Sequence, residues 1–198
     1  MAAFQYLARV MRGQVRHWAV SHNPVANELW QRIPLLPHEQ QPLYKDLLVA
    51  CHGIIEALVG MNSGKQLPIA VDCRGIDENG YRQVYSIILG YFVFQLTVLN
   101  PRMRQELFES LDAVCGETDE RRQLLQRLQR IQTLLPKQER KRPDVAKLGA
   151  EVWQALKLTL KARDEPLDWV QFMTFAMSVF NAGLQNLHKS WGADSMES

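Results

Sequence analysis

From Val84 to Leu99 the chain is apolar at nearly every position, broken only by Ser86, Gly90, Gln95 and Thr97. Elsewhere the apolar residues recur at three and four, the helical period, with polar residues between them. A run of sixteen residues exceeds an ordinary strand. A membrane span needs about 20 apolar residues, and the run is shorter than that and carries three polar interruptions. The pattern predicts a buried central helix from about Arg82 to Leu99, with strands the next reading and a membrane span the last.

The flanking patterns are amphipathic. Phe4, Leu7, Met11, Val15 and Trp18 form one stripe of a helix over residues 1–22, and Arg9, Arg12 and Arg16 gather on the opposite face. Asn23-Pro24 stops that helix and starts a short one, which Pro34 and Pro37 close. Leu43, Leu47, Ala50, Ile54, Ala57, Leu58 and Met61 predict a further helix from Glu39 to about Met61. A short strand is possible from Leu67 to Val71.

After Asn100-Pro101 a helix restarts, with Gly116 placed as its C-cap. Thr118 caps the next one, whose stripe of Leu124, Leu125, Leu128, Ile131 and Leu135 runs down to Pro136. The proline-bounded segment "PKQERKRP" connects to two last helices, started by Asp144 and Pro166. The carboxy-terminal one is crowded with Met and Phe and is too apolar for a single face. The expected architecture is all-α, a single-domain helical bundle of six to eight helices around a buried central apolar helix. Residues 1–192 form the domain and 193–198 a frayed tail.

Composition adds little to this picture: 198 residues, 46% hydrophobic and 22% charged, are ordinary for a globular domain and exclude disorder, collagen and a disulfide scaffold. Cys51, Cys73 and Cys115 are odd in number and widely spaced, and no secretory leader precedes them. A reducing, cytoplasmic compartment is expected, with Cys51 and Cys115 as small core residues.

Charge changes the picture more. The net charge of +2 conceals segregation: residues 28–120 carry seven bases and thirteen acids, whereas residues 121–142 carry eight bases and one acid. The basic residues there are Arg121, Arg122, Arg127, Arg130, Lys137, Arg140, Lys141 and Arg142. Such a patch suits phosphates or an acidic protein partner. Its structural explanation is a solvated helix face paired with the acidic stretch 106–120. Exposed pairs of that kind are worth only about 0–1 kcal/mol each. The absence of aromatics between Phe108 and Trp153 argues against stacking on single strands.

Other candidate chemistry is thin. Around residues 67–81, Asp72, Cys73, Arg74 and Asp77 form a candidate loop, in which Arg74 would favour a Cys73 thiolate. Its simpler role is a connector, with Asp77 capping the central helix. "GMNSGKQ" fails the phosphate-loop spacing, and "DENG" does not continue as a calcium loop. His52 and Glu56 share a helical face, but no second Glu-x-x-His pair completes a metal site. No nucleophile elbow, zinc motif or nucleotide loop occurs, so no catalytic residue, metal site or cofactor is assigned.

The sequence therefore points to a non-catalytic interaction or assembly subunit, docking through apolar helix stripes with charge patches setting orientation. A protein partner or homo-oligomer is expected, and the N-terminal stripe is the first candidate surface. Nucleic acid contacted through 121–142 is the alternative. A helical-pocket protein or enzyme acting on a small apolar ligand, with His52 as polar anchor, is the third. A membrane-surface role is disfavoured.

Overall fold

The computed structural model describes residues 23–59, 76–136, 140 and 145–159. Six α-helices follow in order: α1 Pro24–Arg32, α2 Gln41–Val59, α3 Glu78–Leu99, α4 Arg104–Cys115, α5 Asp119–Leu134 and α6 Val145–Thr159. Single 3-10 turns at Ile33–Leu35 and Pro101–Met103 join α1 to α2 and α3 to α4. No strand occurs among the described residues, and the fold is all-α.

Local chemistry sets the helix ends. The Asn23 side chain accepts from the Ala26 amide at 3.0 Å, and Pro24 sits at the first helical position, where a missing N–H costs nothing. Asp77 accepts from the Gly80 amide at 2.8 Å and starts α3 at Glu78, one turn before the expected Arg82. Ile76 before that cap and Tyr81 after it both pack against the core, as in a hydrophobic staple. Thr118 caps α5 by accepting from the Arg121 amide at 3.3 Å. Gly116 ends α4 with φ 70°, in the half of backbone space that glycine alone enters without strain.

The central apolar helix is where the sequence places it. Every residue of α3 from Val84 to Gln95 is buried, and α2, α4, α5 and α6 pack around it. Tyr85, Phe92, Phe94, Ile87 and Leu89 are among the largest fully buried side chains. Each such burial contributes about 1.5–3 kcal/mol. Of the described helices, α3 has the length and apolarity of a membrane span, yet 72% of that window is buried inside the fold. The hydrophobic demand of this helix is met by its own neighbours.

Several polar residues inside this core pair across helices. Tyr44 of α2 donates its hydroxyl to the Leu107 carbonyl of α4, and Ser110 donates to the Gln40 side chain. His52 Nδ1 lies 2.6 Å from the Tyr85 hydroxyl, and the two rings stack with centroids 6.3 Å apart. At the surface, Glu28 bridges Arg32 of its own helix and Arg82 of α3, while Arg32 also donates to the Val114 carbonyl. That clasp ties α1 to both α3 and α4.

Candidate functional site

Among the described residues, the basic side chains of 121–142 do not form one continuous face. Arg121 corrects the expectation most plainly: it is 2% exposed, so it is not part of a surface patch. Gly90 of α3 lacks a side chain and lets the aliphatic stem of Arg121 lie against the helix backbone. A Cβ at position 90 would stand 3.0 Å from both Cγ and Cδ of Arg121. The guanidinium then donates to the Ser86 hydroxyl at 3.1 Å and pairs with Asp112 at the rim. Burial of that rim pushes the Asp112 carboxyl up, against the opposing pull of Arg121. Arg121 is thus a rivet joining α3, α4 and α5.

The remaining members divide. Arg122 is held by Glu117 and Asp119 from the acidic stretch, the former at 2.8 Å. Arg127 pairs with Glu151 of α6 at 2.8 Å and helps join α5 to α6. Arg140 folds back onto the Leu135 carbonyl at 2.8 Å, and its own carbonyl accepts from Gln132. Arg130 is exposed and makes no ion pair among the described residues. Lys137, Lys141 and Arg142 lie outside the described residues.

What the structure builds instead is a groove. Helices α4 and α5 each pack on α3 but hardly touch one another, so a trough opens between them. It is open to solvent, has a volume of about 370 Å³, and is lined by Arg104, Phe108, Arg122, Leu125, Gln126, Gln129 and Arg130. Phe108 and Leu125 are half-buried and pack against the core on their inner sides. Arg104 lays its guanidinium over the Phe108 ring, 5.8 Å from the centroid, a cation–π contact worth about 0.5–1 kcal/mol at an exposed site. The result is an apolar strip between guanidiniums, with two glutamine amides able to donate or accept.

Of the groove residues, Arg122 and Arg130 stand out in the sequence as basic and Leu125 as one of an apolar stripe, whereas Arg104, Gln126 and Gln129 carry no mark there and Phe108 only bounds the stretch without aromatics. The available signal was the spacing of Arg104 and Phe108, four apart and hence stacked on one helical face. The aromatic that 121–142 lacks in sequence is supplied by α4 in space.

The other candidates fall elsewhere. Phe4, Leu7, Met11, Val15 and Trp18, and also Asp72, Cys73 and Arg74, lie outside the described residues. Asp77 is the cap of α3. His52 is packed in the core against Tyr85, and the Glu56 side chain is outside the described set. Among the described residues, no three His, Cys, Asp or Glu side chains converge to hold a metal ion. Cys51 and Cys115 are free thiols. Burial pushes Cys51 well up and Cys115 to about 12, which suits unreactive core residues. The chain matches no family model, no curated protein and no solved structure.

Proposed function

We propose that this chain is a non-catalytic interaction or assembly subunit whose α4–α5 groove receives a segment of a protein partner. The observation that carries this reading is the groove itself, where half-buried Phe108 and Leu125 stand between Arg104, Arg122 and Arg130. An apolar strip flanked by charge is the composition of a docking surface: the strip supplies affinity and the guanidiniums set orientation. Arginine and phenylalanine are both enriched at such contacts. The cytoplasm is the proposed compartment, because buried Cys51 and partly buried Cys115 serve as reduced thiols.

The nucleic-acid alternative has weaker support. It calls for the basic residues to converge, whereas Arg121, Arg127 and Arg140 are engaged within the fold. The test is a photo-crosslinking residue placed at Gln126 in the groove, with exposed Gln154 on α6 as the control, in the cells the chain comes from. A discrete protein adduct from position 126 and none from 154 is the expected result. An adduct with nucleic acid, or none at position 126, would sink the proposal.

A further inference from the structure

We infer that the occupant of the α4–α5 groove is an amphipathic helix of a protein partner, with an apolar residue and, one turn after it on the same face, a carboxylate, an inference that rests on the interaction reading above. Arg122 and Arg130 are eight residues apart on α5, which places them about 12 Å apart along its axis. Leu125, Gln126 and Gln129 lie between them on the groove wall, and Phe108 faces the same trough from α4. Along the groove the sequence of chemistries is therefore cation, apolar and amide, cation.

A helix laid in this trough meets it with its own periodicity. Residues at i and i+7 or i+8 return to one face about two turns apart, and the residue at i+4 sits midway on that face. A carboxylate at i+8 reaches Arg130, a Leu or Phe at i+4 covers Leu125 and Phe108, and the residue at i, which faces Arg122 with its own acids, is neutral. Gln126 and Gln129 donate to whatever oxygens the flanking residues present. This is docking of an apolar helix face in a groove, with charge fixing its register.

The two ends are unequal. Arg122 already holds Glu117 and Asp119, whereas Arg130 and Arg104 have no carboxylate partner among the described residues. The acidic residue that meets Arg130 is accordingly the charged anchor, and Arg104 can leave the Phe108 ring to join it. Phosphates of a duplex match this groove less well. With Arg122 compensated, two guanidiniums would displace only about two counterions, giving weak binding.

The test uses the full chain and fluorescein-labelled synthetic helices of about four turns. One carries Gln at i, Leu at i+4 and Glu at i+8; the second has Gln for that Glu; the third has Ala for Leu. Anisotropy titrations at low and moderate salt should show binding of the first, weaker by about tenfold for either replacement. Arg130→Gln should cost the first helix about tenfold as well, with Arg104→Gln as the second variant. Both side chains are exposed, so circular dichroism should be unchanged.

Equal binding of the Glu and Gln helices overturns the inference, and so does no binding of any helix. So does displacement of the first helix by an unlabelled duplex oligonucleotide, which assigns the groove to phosphates. A second copy of the chain as occupant would appear as a dimer in sedimentation that Arg130→Gln dissociates, and would overturn it too. Failure of the helices while position 126 still crosslinks to a protein removes only this partner chemistry. Failure of both removes the interaction reading with it.

Discussion

Gly90 and Arg121 are one device made of two residues. Alanine is a better helix former than glycine by about 1 kcal/mol, so propensity alone would favour Gly90→Ala. The added methyl, however, would press on Cγ and Cδ of Arg121 at 3.0 Å. That stem cannot easily yield, because its head is fixed by Ser86 and Asp112 and its backbone by the Thr118 cap. Overpacking of a core typically costs 1–3 kcal/mol, which outweighs the propensity gain. Gly90→Ala should therefore destabilise the chain by about 1 kcal/mol. In an Arg121→Ala background the same substitution keeps only an ordinary contact with Leu125 Cδ2 at 3.9 Å and should stabilise by about the propensity difference. A double-mutant cycle in urea reads the reversal of sign. Stabilisation by Gly90→Ala in both backgrounds would show that the arginine stem is not held.

At the scale of elements, the joint between α4 and α5 rests on Gly116. Its φ of 70° and ψ of 167° lie in a region essentially reserved to glycine, although a Cβ there would touch nothing within 4 Å. Gly116→Ala should thus cost about 1–3 kcal/mol from backbone strain alone, read as a drop in the urea midpoint with unchanged slope. A loss below a few tenths would mean that the joint relaxes freely. This cap was legible in the sequence, as were Asn23-Pro24, Asp77 and Thr118, because a cap is a local bargain between one side chain and the next few amides. The central helix was legible for the same reason: an all-round apolar run can only be buried. Arg121 was not. Its burial depends on a glycine, a serine and an aspartate supplied by two other helices, and no local period announces that meeting. The groove was half legible: Arg122 and Arg130 stand out as charges, while Phe108 and Arg104 join them only through the placement of α4 beside α5.

For the molecule as a whole, the core is loaded with groups that must stay protonated. Desolvation is the leading cause that raises Tyr44, Tyr91, Cys51 and Cys115 above their ordinary values, with Cys115 reaching about 12. An unfolded thiol titrates near 8.5 and an unfolded phenol near 10. Between those values and the folded ones the unfolded chain holds fewer protons, so stability must fall as pH rises. The stabilisation is fully present below the unfolded values and is lost on the alkaline side. Each group contributes about 1.4 kcal/mol per pH unit within its window. All four act in the same direction, so the loss deepens with each group that enters its window and draws on the small net stability of a typical domain. Urea midpoints should hold near neutrality, decline from about pH 9 as the thiols come into play, and fall more steeply beyond about pH 10 when the phenols join. Replacing Cys51 and Cys115 together by Ala should flatten the first part of that decline and leave the second. Tyr91→Phe should soften the second and leave the first. A midpoint that stays level to pH 11 in the parent chain would mean that these side chains reach water in the folded state, and that the core around α3 is looser than its packing indicates.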